Sequence, residues 1–241
     1  MAAGTANRIH PTAILGPEVE LGQGNTIGPY VVISGPVRIG DDNFFSPHVS
    51  IGAAADVRGH HLDPGWEEPT RDTGVVIGSR NVFKEFSSVT QGWAHETRVG
   101  DDAFLMGKAH VSHDCTLGNG VTLAHTAVLA GHVTVGDGAN LGLGTVVHQR
   151  AWIGAGAMVG MQSAVRADLP PYAVSLGVPA RPTRLNTYRL DLLGVAAADH
   201  DAIAAVALGG DRDLDRVPDD VRSALAQWVE RRDGAAPARA E

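Results

Sequence analysis

At 241 residues and 44% hydrophobic content the chain can bury a sizeable core, while a formal net charge of -8 and the lack of a basic stripe exclude a general nucleic-acid binder. Thirty glycines beside only 5% aromatics point to a repetitive, turn-rich architecture. The one cysteine, Cys115, excludes an intrachain disulfide; with no long apolar run and no hydrophobic segment in MAAGTANRIHPTA, the expectation is a cytoplasmic protein without an integral membrane segment.

From the N-terminus, aliphatic or aromatic residues recur at every sixth position: Ile9, Leu15, Leu21, Ile27, Ile33, Ile39, Phe45, Ile51 and Val57. The register resumes at Ile77, Phe83 and Val89. It then runs through Val99, Leu105, Val111, Leu117, Leu123, Leu129, Val135, Leu141, Val147, Ile153 and Val159 to Val165. A period of six fits neither a helix nor an alternating strand. It fits short strands separated by turns, each strand turning one large residue inward. Three such sides close a triangular coil of roughly 18 residues that advances by one strand spacing, ~4.8 Å. The fold class is therefore mainly β, a parallel β-helix over residues 8–182. Glycines that follow the large residue, such as Gly22, Gly28, Gly40, Gly52, Gly100, Gly118, Gly136 and Gly154, are expected to supply the backbone conformations of the corners.

Residues 58–75, rich in charges, prolines and glycines, read as a loop insertion of the kind that often carries function. His60 and His61 within it read as structural or solvent-facing, because adjacent histidines ligate one ion poorly. Gly92 to Arg98, which contains His95, makes a shorter excursion. After Val165 prolines are expected to end strand pairing. Leu185–Leu193, Asp201–Leu208 and Pro218–Arg232 read as helices of a C-terminal domain over 183–233 that caps the solenoid, with Asp219 and Asp220 at a positive helix end. Residues 234–241 read as a disordered tail.

The coil length aligns distant polar residues. One coil beyond His113 is Gly131 and two beyond is Gln149; Asp114 maps onto His132, and Ala130 onto His148. His113, Asp114, His132, His148 and Gln149 should therefore form a stripe along one edge, whereas His125 falls on another phase. An imidazole titrates near neutrality, so His113 is the candidate general base, with Asp114 to orient it. Cys115 sits at a small-residue position of its hexad and reads as core packing.

The stretch FLMGKAHVSHDCTLGNGVTLAHTAVLAGHVTVGDGANLGLGTVVHQRAWIGAGAMVG closely resembles the acyl-carrier-protein-dependent UDP-N-acetylglucosamine O-acyltransferases, which begin lipid A synthesis. The HxxHDCTxGN and AGHVxVGD segments carry the resemblance, which spans approximately residues 8–182. It implies a left-handed form of the β-helix and a homotrimer with active sites between subunits. It further implies His113 as general base, Asp114 as its orienting group and the Gly131 N–H as oxyanion donor. Substrate contacts are implied for His110, His132, His148, Gln149 and Asn186, and for Asp56 and Arg58 of an insertion-loop triplet that Asp56, Val57 and Arg58 match. No cofactor or metal is expected; the donor is an acyl-carrier-protein or coenzyme A thioester.

The chain also departs from that pattern. Where the family carries an acid and two arginines in its first helix, this chain has Tyr188, Leu192 and Leu193, so a diphosphate loses charge-assisted partners unless Arg150, Arg184 or Arg189 replaces them. Gln91 and Gly92 stand where the family carries I-H-R. Met161 occupies a position at which the family sets acyl length and implies a short or medium chain. Arg166, Arg181 and Arg184 are candidates for docking an acidic carrier. Three alternatives remain: a coenzyme A-dependent acyltransferase acting on another small polar acceptor; a zinc lyase like the γ-type carbonic anhydrases, whose histidine spacing is absent here; and a purely structural solenoid or catalytically inactive binding scaffold, in which His113 could be replaced without consequence.

Overall fold

The computed structural model describes residues 6–59, 65–67 and 72–234. Among these, short strands assemble into three sheets of ten, eight and seven strands that form the sides of a prism, all parallel except for the last strand of the ten-stranded sheet. The register confirms the coil length. Leu105 pairs with Leu123, Leu123 with Leu141 and Leu141 with Val159 on the first side; Val111, Leu129, Val147 and Val165 follow one another on the second; Leu117, Val135 and Ile153 do so on the third. These large residues are buried in a single axial column, in which Phe45 and Phe83 stack at 4.8 Å. Each fully buried leucine or isoleucine contributes about 1.5–3 kcal/mol relative to exposure. No helix among the described residues is long and apolar enough to cross a membrane.

The corners are built differently from the expectation. Many are turned by non-glycine residues in the left-handed region, including Asp42, Asp102, Lys108, Thr126 and, on one edge, Asp114, His132 and Arg150 at φ 59°, 61° and 64°. The glycine after the inward residue serves another purpose. A Cβ on Gly118 would stand 2.8 Å from the backbone nitrogen of Asp137 in the next coil, so its role is close stacking of coil on coil.

Both interruptions of the repeat leave from the second side and return to the third. Strand Ser50–Ala53 precedes the longer one and strand Val75–Ile77 follows it; strands Ser88–Thr90 and Thr97–Val99 flank the shorter. Gly74 and Gly92 form an antiparallel bridge that ties the two excursions together. Val57, read as an inward residue of the repeat, lies outside any strand and is half-buried, while the nearby Ala55 is buried with its N–H on Asp72 Oδ2 at 3.1 Å. His60, His61 and Glu68 to Arg71 lie outside the described residues.

The C-terminal region corrects three boundaries. Residues expected to leave the sheet form an antiparallel hairpin, Ala173–Gly177 with Ala180–Leu185. Pro182 is tolerated because it lies on the outermost strand of the sheet, where a missing N–H breaks no further pairing. Leu185 thus belongs to a strand, and helix α1 (Thr187–Leu192) begins after the cap Asn186. Helices α2 (His200–Ala207) and α3 (Asp219–Gly234) follow, so Gly234 is helical, while 235–241 lie outside the described residues. A second core of Tyr172, Leu185, Leu190, Ile203, Val206, Val221 and Leu225 joins the helices to the final coils. Trp228 stacks on Trp152 at 6.1 Å, and Arg231 binds Asp168 at 2.5 Å.

Candidate active site

The edge between the second and third sides carries a compact group around Asp114, whose side chain is 0% exposed. The shorter excursion supplies the reason a carboxylate can sit there. Trp93, Ala94 and His95 donate three consecutive backbone N–H groups to Asp114 Oδ1, at 3.1, 2.8 and 2.8 Å. The Asp114 N–H donates to Thr97 Oγ1 at 2.9 Å. Burial pushes the carboxyl upward, but the hydrogen bond to His113, the His95 and Ala94 N–H groups and the nearby His132 outweigh it and hold Asp114 below the usual carboxylate range.

The other oxygen, Oδ2, faces two imidazoles. His113 Nδ1 lies 2.7 Å away and His132 Nε2 3.6 Å away. Because the carboxylate is ionised and can only accept, His113 must carry its proton on Nδ1, which leaves the Nε2 lone pair free. The His113 ring is held edge-on by His132 at 5.2 Å and by Trp93 at 6.4 Å. Gly131 adjoins it: a Cβ there would fall 2.5 Å from His113 Nε2, so the site requires glycine at that position. No backbone or side-chain acceptor among the described residues takes the Gly131 N–H. Burial lowers the His132 pKa; Asp114 opposes that shift, and Arg150, His113 and His95 add to it.

The remaining expected residues distribute over the prism. His110 and Asp56 come together on the second side and its loop, with His110 Nδ1 2.8 Å from Ser88 Oγ and Nε2 3.6 Å from Asp56 Oδ2. Burial lowers the His110 pKa against the pull of Asp56. Arg58, two residues on in the same loop, is exposed. His148 and Gln149 are exposed one coil beyond Gly131, where the Arg150 N–H donates to Gly131 O at 3.0 Å. Asn186 lies elsewhere. Its side chain caps α1 through the Arg189 N–H and donates to Gly156 O at 2.8 Å, on the edge between the third and first sides. Arg189 packs over Gly138 and Gly156 on that same edge. Met161, 69% exposed, belongs to the third edge. Cys115 is buried, its thiol pushed up to about 12 chiefly by burial, as core packing requires.

The repeat pattern assigns His95 no role, but the fold brings it to the same edge as His113. It stacks edge-on against His132 at 5.8 Å, and His95, Asp114 and His132 present donor atoms all within 4.8 Å of one another, a group that could hold a metal. The signal that would have found it was its place in an excursion returning to the His113 edge.

Asp114→Asn should reveal the electrostatics. The folded-state pKa lies below the unfolded one, so the stabilisation is complete above the unfolded value, ~4, and is lost as pH falls through the lower folded value. The variant is expected to be less stable by about 1–3 kcal/mol at pH 7, where charge-assisted bonds are lost. Urea unfolding from pH 7 down to 2 should show that difference shrinking below pH ~4; a pH-independent difference would contradict the assignment.

The family model described as bacterial transferase hexapeptide (six repeats) matches residues 18–53. An acyl-(acyl-carrier-protein)–UDP-N-acetylglucosamine O-acyltransferase of Paraburkholderia phymatum is 38% identical over 160 residues, 65% of this chain and 59% of the relative. A protein of the same name from Burkholderia lata is 40% identical over 160 residues, again 65% and 59% of the two chains. The chain thus spans about three-fifths of the length of these relatives. The solved UDP-N-acetylglucosamine acyltransferase of Francisella novicida superposes with a TM-score of 0.72 at 27% identity, covering 82% of this chain and 78% of that one. The fold is the left-handed β-helix.

Proposed function

The chain belongs to the family of the acyl-(acyl-carrier-protein)–UDP-N-acetylglucosamine O-acyltransferases, and from that premise we propose that it transfers an acyl group from an acyl-carrier-protein thioester to a hydroxyl or amine of UDP-N-acetylglucosamine or a related sugar nucleotide. The observation that carries this reading is the Asp114–His113 pair, with His113 Nε2 beside the Gly131 backbone. His113 Nε2 takes the proton of the acceptor as its oxygen or nitrogen attacks the thioester carbonyl. Gly131 N–H donates to the oxygen on which charge develops. Collapse of the tetrahedral intermediate breaks the carbon–sulfur bond, and the leaving thiolate takes the proton back from His113. Asp114 stabilises the transient imidazolium. No enzyme nucleophile is involved, in keeping with the buried, protonated Cys115.

His132, His148 and Gln149 line the acceptor's approach along the same edge, with His110, Asp56 and Arg58 on its loop side. Arg150, exposed on this edge with its backbone N–H on Gly131 O, is the cation proposed for a diphosphate. Arg189 is committed to another edge, and Asn186 acts there by capping α1. A homotrimer belongs to the proposal for a geometric reason: His113 and Met161 sit on different edges, so an acyl channel touching both must be completed by a second copy. Exposed Arg166, Arg181 and Arg184 suit an acidic carrier protein.

The test is transfer from matched acyl-carrier-protein and coenzyme A thioesters of graded length to UDP-N-acetylglucosamine, read by mass spectrometry. Carrier-linked short or medium chains should react fastest, and Met161→Gly should move the optimum to longer chains. Faster use of coenzyme A donors would contradict the carrier assignment, and an unchanged optimum in Met161→Gly would contradict the role of Met161.

A further inference from the structure

We propose that His95, Asp114 and His132 form a binding site for a divalent transition metal, with zinc as the test case, and that an ion bound there competes with the Asp114–His113 hydrogen bond. The donors are already near their places. His95 Nδ1 lies 3.7 Å from Asp114 Oδ1, and His132 Nε2 lies 3.6 Å from Asp114 Oδ2. Neighbouring donors in a tetrahedral zinc site stand roughly 3.3 Å apart, given metal–ligand distances of about 2.0–2.1 Å. His95 is 58% exposed on the excursion and has room to turn the small distance required. Two imidazoles and one carboxylate, with a fourth position left to solvent, are a ligand set that zinc accepts.

The carboxylate decides the consequence. Oδ1 already receives three backbone N–H bonds, so a metal–carboxylate bond draws on Oδ2, the oxygen that orients His113. Metal binding and a correctly held His113 are therefore mutually opposed, and zinc should inhibit. Only this inhibitory consequence rests on the proposed acyl transfer; the binding site does not. His95 also has no counterpart in the motifs that carry the family resemblance, since it lies beyond Gln91 and Gly92 where the chain departs from them.

Cobalt(II) titrated into the full chain gives a direct reading. One equivalent should produce visible ligand-field absorption that zinc displaces. His95→Ala keeps the backbone N–H that Asp114 accepts, so the carboxylate stays in place while one ligand is lost; metal affinity should fall by about tenfold or more. His125→Ala, on another edge, should bind cobalt as the wild type does. In the transfer assay, zinc should inhibit the wild type, and His95→Ala should keep the metal-free rate and resist zinc. Absence of the cobalt spectrum, or equal affinity in His95→Ala, would overturn the site. The cobalt result with no acyl transfer under any metal condition would support the site and overturn the acyltransferase reading instead.

Discussion

His113→Ala lowers the rate of acyl transfer by at least about a hundredfold while the unfolding midpoint stays close to that of the wild type. General-base removal costs roughly 10²–10⁴-fold. The upper part of that range applies where the base is also held in one tautomer, as the 2.7 Å contact with Asp114 arranges here. The fold should tolerate the change. His113 belongs to a corner outside the axial column, and its backbone carbonyl still accepts the His132 N–H at 2.9 Å in the variant. Steady-state kinetics with saturating donor separate the two possible outcomes. A fall in kcat without a matching rise in KM marks loss of transition-state stabilisation, whereas a change confined to KM would make His113 a binding group.

Gly131→Ala is expected to be nearly as damaging, through geometry alone. The added methyl would occupy space 2.5 Å from His113 Nε2, so the imidazole must rotate away from Asp114 or the two coils must separate. Either movement displaces the base from the N–H meant for the oxyanion, and displacements near 1 Å can cost about a hundredfold. The control is Gly120→Ala, at a positive-φ corner with open space around the added carbon, which strains the backbone without touching His113. If Gly131→Ala retains full activity while Gly120→Ala behaves as expected, the crowding argument fails.

The axial column was readable from sequence because its signal is local and repeated: Leu117, Val135 and Ile153 each mark one inward position of one side. The stripe through His113, Asp114 and His132 followed from the same counting. Position 161 could likewise be assigned to a different edge from 113. What the repeat could not give was the clamp on Asp114. Trp93, Ala94 and His95 lie about a full coil away, on a segment whose path depends on where it rejoins the third side. Counting also misled at Val57, where apolar residues continue the period after the chain has left the prism. Pro182 argued against a strand only because its position on an outer edge is a tertiary fact. The glycines after the inward residue were expected to relieve backbone strain, but apart from Gly52 they have negative φ and serve the contact between coils; the left-handed corners are shared by aspartate, histidine, arginine and other glycines such as Gly120 and Gly138.

The measurement that bears most directly on the Asp114–His113–Gly131 arrangement is a single-turnover reaction. Excess enzyme is mixed with an acyl-carrier-protein thioester and UDP-N-acetylglucosamine, and both the small-molecule product and the intact protein are followed by mass spectrometry, wild type beside His113→Ala. Direct base-assisted transfer predicts acylated UDP-N-acetylglucosamine from the wild type, little from the variant over the same interval, and no acyl adduct on either protein. Equal product from both proteins, or an acylated wild-type enzyme that forms before product, would contradict it.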